Sequence, residues 1–231
     1  MNALESLSYF KPELFLVAGA FVALLVDLFS DKKKVIGILS LVVLAVTALF
    51  IRPPEASHDL FNGLFALDPL THFFRYLALG VVAITILVSL AYSPIANKDQ
   101  GEYYSLFLFM AFALILMGAV NNLLMIFLAV EFVSIVSYLL VGFLKRNVFA
   151  KEAAIKYLLY GSLASGVMLY GMSLLFGASG SLDLSVIGKE IANSRFYGVG
   201  VIAMILMLVG MGFKISMAPF HMWAPDVTRQ R

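Results

Sequence analysis

The sequence predicts an all-α, polytopic membrane protein of about seven transmembrane helices. Three observations lead there. Apolar residues make up 62% of the 231 and charged residues 13%, against roughly 45–50% and about 25% in soluble domains. Seven mainly apolar stretches have close to the ~20-residue length that crosses a bilayer. They are Glu13–Phe29, Val35–Ile51, Leu70–Tyr92, Tyr103–Val120, Leu123–Phe143, Ala150–Phe176 and Phe196–Ser216. Turn-forming and charged residues collect between them.

The first stretch is a span rather than a cleaved signal peptide. No basic segment precedes it, and Asp27 and Asp31 replace a small-residue cleavage site. Pro53 and Pro54 stop the second span, because proline lacks the N–H that a helix needs. They lie in the loop Arg52-Pro-Pro-Glu-Ala-Ser-His-Asp. Ser93-Pro-Ile-Ala-Asn-Lys-Asp-Gln-Gly separates the third and fourth spans, and Asn121-Asn122 makes a tight turn before the fifth. Ser179-Gly-Ser-Leu-Asp-Leu-Ser opens the longest connection, where Ser181 and Ser185 are expected to cap a short interfacial helix. Asp27, His72 and Arg75 fall near span ends and are expected at the interface.

Composition also narrows the chemistry. A net charge of +2 is too small for a nucleic-acid footprint. With no cysteine there is no disulfide, no cysteine-ligated cluster and no covalent haem. The three histidines (His58, His72, His221) share no helix-face spacing. No cofactor or metal is therefore expected on this chain, and electrons do not pass through it. Lys32, Lys33, Lys34, Lys98, Lys145, Arg146 and Lys151 follow odd-numbered spans, while Lys11, Arg52, Lys189 and Arg195 lie on the other side. Basic residues favour the cytoplasmic side, so the amino terminus is expected outside. The carboxyl end, with Arg229 and Arg231, then lies inside.

Ionisable groups inside spans cost about 2.5–3.5 kcal/mol each on insertion scales, and so they are candidate functional residues. Glu131 lies eight residues into the fifth span, about 12 Å deep at 1.5 Å per residue. Ser134 and Tyr138 share its face. The structural alternative is a protonated carboxyl bonding a neighbouring helix. Lys214 lies late in the seventh span, with Pro219 five residues on. The proline ring clashes with the Ile215 carbonyl, so the helix is expected to break there. Broken helices at membrane depth line cavities and mark ion sites in transporters. The alternative for Lys214 is a snorkelling side chain. Lys156, about 10 Å into the sixth span, can instead pair with Glu152 on the surface. His221 follows the break; an imidazole exchanges protons near neutral pH, yet it serves equally well to bond freed carbonyls. Burial disfavours the charged forms of glutamate and lysine, and pairing restores them. A movement that separates such a pair therefore couples conformation to proton release.

Three segments carry a family resemblance. They are Val130-Glu-Phe-Val-Ser-Ile-Val-Ser-Tyr-Leu-Leu-Val-Gly-Phe, Glu152-Ala-Ala-Ile-Lys-Tyr-Leu-Leu-Tyr-Gly-Ser and Gly212-Phe-Lys-Ile-Ser-Met-Ala-Pro-Phe-His-Met-Trp-Ala-Pro-Asp-Val. From about residue 100 to 227 the chain resembles the antiporter-like membrane subunits of proton-pumping NADH–quinone oxidoreductase, respiratory complex I, of the chain N type. Over the first three spans the likeness is looser. The resemblance implies the first part of an inverted-repeat antiporter-like fold with a broken seventh helix. Glu131 looks like the family's fifth-helix glutamate, Lys214 its partner on the broken helix, Lys156 the sixth-helix lysine and His221 the histidine past the break. Together they imply a hydrated proton half-channel in a bacterial cytoplasmic membrane, beside other membrane subunits of a complex that uses NADH and a quinone.

Three parts are expected: residues 1–98 with the first three spans, residues 99–227 with most of the first repeat, and an atypical tail at 228–231. A chain N continues past this point with a Tyr-x-Gly-Ala-Pro-like stretch and a second repeat, whereas here Thr228-Arg-Gln-Arg follows Val227. A fragment, a truncated product or a split gene is expected. Three other readings stay open: a subunit of a multi-subunit Na⁺/H⁺ antiporter or membrane-bound hydrogenase, a seven-helix retinal protein, and a structural scaffold.

Overall fold

Among the described residues, seven apolar helices follow one another in the computed structural model at the places the sequence predicts. The structure describes residues 3–29, 33–51, 57–91, 100–144, 147–193 and 196–228. Pro53 and Pro54, the 93–99 stretch, Asp31, the tail 229–231 and the loop bases Lys32, Lys98, Lys145, Arg146 and Arg195 lie outside these. The spans are α2 (Lys11–Phe29), α3 (Lys33–Phe50), α4 (Pro69–Ala91), α5 (Gln100–Ala119), α6 (Leu123–Val141), α7 (Val148–Ser179) and α9 (Tyr197–Lys214). Six are long and apolar enough to cross a membrane by themselves, and Lys34–Phe50 is a shorter apolar helix. Short helices α1 (Ala3–Tyr9), α8 (Leu184–Asn193) and α10 (Ala224–Thr228) accompany them. The chain divides into two compact units, residues 1–120 and 121–231.

In the first unit α5 packs with α2, α3 and α4. Leu16, Ala20 and Ala23 of α2 meet Ile36, Ile86, Leu108 and Ala111 in a closed core, while Phe21, Val22, Leu25 and Leu28 on the opposite side of α2 stay exposed. A helix apolar on every side suits protein on one face and lipid on the other. The segment between α3 and α4 was not anticipated to form strands. β1 (His58–Leu60) and β2 (Phe65–Leu67) form an antiparallel hairpin, with His58 opposite Leu67 and Leu60 opposite Phe65. Phe61, Asn62 and Gly63 all take positive φ in its turn. Asn62-Gly63 between apolar neighbours is the sequence signal for this.

A second correction concerns Arg75, expected at the interface. It is 3% exposed and pairs with Glu13, 1% exposed, at 2.5 Å. Its guanidinium also donates to the Tyr9 carbonyl at 3.4 Å. Each residue is near the start of its span, but neighbouring helices cover it.

In the second unit α7 packs closely on α9. A Cβ at Gly171 would meet the Ala203 carbonyl at 2.7 Å, and one at Gly210 would meet the Ala164 carbonyl at 2.8 Å. Both positions need glycine for the backbones to approach, as in membrane helix pairs generally. The cap of α8 differs from expectation. Asp183, rather than Ser181 or Ser185, accepts the Ser185 and Val186 N–H groups at 2.7 and 3.3 Å. The Ser185 hydroxyl, then these amides, hold the Asp183 carboxyl below its usual range.

Helix α9 ends at Lys214, earlier than the clash at Ile215 required. Met217 N–H bonds the Gly212 carbonyl at 2.8 Å and Ser216 N–H the Phe213 carbonyl at 3.0 Å, the paired bonds of a Schellman turn. Ser216 occupies its left-handed position at φ 54°, where glycine is usual. A β-branched side chain is strained in that region. Ser216→Val should therefore lower stability by roughly 1–2 kcal/mol, while Ser216→Gly is neutral or mildly stabilising. Thermal unfolding of the purified variants in one detergent checks this; an unchanged Val variant would contradict it.

Candidate functional site

Glu131, Ser134 and Tyr138 recur on one face of α6 at helical spacing, and that face meets Lys214. The Lys214 ammonium lies 3.1 Å from Glu131 Oε1, 2.7 Å from Ser134 Oγ and 3.4 Å from the Tyr138 hydroxyl. An ammonium has three N–H donors and no acceptor, and here three oxygens receive them. Ser134 donates its own proton to the Val130 carbonyl at 2.8 Å, leaving its lone pairs for Lys214. The two charged side chains are 13% and 21% exposed. Glu131 is the ninth residue of a nineteen-residue helix, so the pair sits near mid-span.

A third helix completes the cluster. Ser165 of α7 donates to Glu131 Oε1 at 2.5 Å, with the Gly161 carbonyl a second acceptor at 2.9 Å. The same carboxylate oxygen thus receives an ammonium and a hydroxyl. Gly161 matters one turn earlier, because a Cβ there would collide with the Tyr138 hydroxyl. Ser165 was not among the sequence candidates. Its run of small residues, Gly161-Ser-Leu-Ala-Ser-Gly, signals close packing but not which helix it faces.

The other candidates stand apart from this cluster in character. Lys156 pairs with Glu152 at 2.8 Å on an exposed face, the side chains 42% and 58% exposed. This is the i,i+4 surface pair weighed from the sequence, in a helix of 32 residues. Such a helix is about 48 Å long, against ~30 Å of bilayer hydrocarbon, so it is longer than the span requires. His221 is exposed on the turn after Pro219. Pro219 follows a cis peptide bond in the irregular stretch between α9 and α10. The break is present, centred on Ser216.

Known proteins resemble this chain in sequence and fold. Residues 120–230 match the family model described as NADH:quinone oxidoreductase/Mrp antiporter, transmembrane. NADH-quinone oxidoreductase subunit N 2 of Chloroherpeton thalassium is 36% identical over 231 residues, 95% of this chain and 44% of the relative. The protein of the same name from Sorangium cellulosum is 38% identical over 98% of this chain and 48% of its own length. The chain thus spans about half the length of the curated relatives it matches. A chain of respiratory complex I from Thermus thermophilus, solved with bound Aureothin, superposes with a TM-score of 0.74 at 30% identity. It covers 94% of this chain and 46% of its own. This is a multi-span membrane protein whose residues 120–230 match the NADH:quinone oxidoreductase/Mrp antiporter transmembrane family model, and nearly its whole length is similar to about half the length of subunit N proteins.

Proposed function

We propose that the chain is a proton-translocating membrane subunit of an NADH–quinone oxidoreductase, working through the Glu131–Lys214 pair. The observation that carries this reading is one partly buried ammonium shared among a carboxylate and two hydroxyls, between α6 and a helix that ends at that lysine. At 3.1 Å and an effective dielectric constant of ~20, the attraction is about 5 kcal/mol. Doubling the separation removes about half of that attraction. A break at Ser216 gives the end of α9 the freedom for such a movement. The movement is supplied elsewhere in the complex, where NADH is oxidised and quinone reduced; this chain's residues hold and release the proton.

The relatives' names support the partners proposed: other membrane subunits of the same complex, in a bacterial cytoplasmic membrane. The excess of basic residues in alternate loops supports an amino terminus outside. Lys156 and His221 are proposed as outer members of the path, where protons enter or leave. The domain division proposed from the sequence, with the first repeat beginning near residue 99, belongs to the same reading.

Glu131 tests the proposal. Glu131→Gln keeps the shape and a hydrogen-bonding oxygen but removes the charge, so proton-coupled activity of the assembled complex should fall at least tenfold, the equivalent of about 1.4 kcal/mol. Glu131→Asp should keep part of it. Proton uptake into vesicles, followed with a pH-sensitive dye, reads this. A Gln variant as active as the parent would mean that Glu131 only bonds helices together.

A further inference from the structure

Trp223, the single tryptophan, lies past the break and touches the Lys214 site by two separate routes. The first runs through the backbone. Its indole N–H donates to the Phe213 carbonyl at 3.2 Å, on the residue immediately before Lys214. That carbonyl already accepts Ser216 N–H in the turn that ends α9, so Trp223 occupies its second lone pair. The second route runs through rings. Trp223 stacks on Tyr157 of α7 with centroids 4.1 Å apart and planes 6° from parallel. Tyr157 meets Tyr138 edge to face at 4.6 Å and 87°. Tyr138 then presents its hydroxyl to the ammonium at 3.4 Å.

The eight residues 215–222 between Lys214 and Trp223 include the left-handed Ser216 and no helix. A tie on the far side of that stretch adds to the α7 packing and the turn bonds that hold the last turn of α9. Indole suits the tie, since it offers a broad apolar face and one donor.

We propose that Trp223 is a positioning residue that clamps the end of α9, so that Lys214 stays on Glu131. The proposal rests on the Glu131–Lys214 reading. In it, release of Trp223 from Tyr157 and Phe213 accompanies separation of the pair. Trp223 itself neither takes nor gives a proton.

Acylation of Lys214 measures this, because only an unpaired, neutral amine reacts. The 231-residue chain is purified in detergent and labelled with trace acetic anhydride, and mass spectrometry compares Lys214 with the exposed Lys189 of the same molecule. Glu131→Gln supplies the reference for an unpaired lysine and should raise the ratio. Trp223→Phe keeps a stacking ring but loses the N–H, and should raise the ratio about fivefold, the factor that one net hydrogen bond's worth of coupling produces. Tyr157→Leu removes the stack and leaves the N–H, and should raise it too; Trp223→Ala should exceed either. The pH profile of Lys214 labelling in Trp223→Phe should move toward that of Glu131→Gln, which general loosening of the fold would not produce. If Glu131→Gln raises the ratio while Trp223→Phe and Tyr157→Leu match the parent, the clamp is wrong and the pair stands. If Glu131→Gln leaves the ratio unchanged, the pair reading fails and the clamp with it.

Discussion

Lys214→Arg should abolish proton-coupled activity nearly as completely as Lys214→Ala, although it keeps the positive charge. A proton carrier must give up its proton in each cycle, and a guanidinium does not do so in proteins. Arginine would also be misplaced. The site offers Glu131, Ser134 and Tyr138 oxygens around a point 2.7–3.4 Å away, which suits a compact ammonium rather than a planar fork. Both variants should fall more than a hundredfold, equivalent to about 2.7 kcal/mol or more. Proton uptake into vesicles carrying the assembled complex reads the effect. An arginine variant that pumps at the parent rate would reduce Lys214 to a counter-ion.

The second large effect falls on stability. Glu13 and Arg75 are 1% and 3% exposed and pair at 2.5 Å. Removing one partner of a buried pair strands the other charge, which costs roughly 3–5 kcal/mol. Glu13→Leu or Arg75→Met alone should therefore lower unfolding stability by that amount. Replacing both with apolar side chains removes both charges together, and is often neutral or better. The Glu13→Leu/Arg75→Met chain should recover most of the loss. Denaturant unfolding of the detergent-purified chains separates the cases. Two additive single losses, with no recovery in the double variant, would show that the residues act independently. Arg75 cannot release a proton, so this pair is assigned to holding α2 and α4 together.

The membrane spans were legible because the rule behind them is simple. A crossing helix needs its length in apolar residues, and every predicted boundary falls within three residues of the helix observed. Glu131 and Lys214 were legible because a charge in such a stretch is costly enough to need a reason. What lay beyond local pattern was which faces meet. Ser165 became part of the site only through the approach of α7 to α6. Arg75 was misread because closeness to a span end was equated with exposure, whereas the surrounding helices decide burial. The cap of α8 went to Asp183, whose carboxylate accepts two amides, over two nearby serines. The end of α9 was read from Pro219, but the turn closes at Ser216, a residue with no special preference for positive φ. The hairpin after α3 had its Asn62-Gly63 signal and was passed over amid loop residues.

The most direct test asks whether Glu131 and Lys214 act as one unit. Proton uptake would be measured in vesicles for Glu131→Gln, Lys214→Ala and the double variant, each corrected for the amount of assembled complex. Residues that serve a single step lose it once, so their effects are strongly non-additive. The double variant should be no slower than the worse single variant. Losses that multiply would mean that the two residues act in separate steps, and the pair would not be the unit of proton transfer.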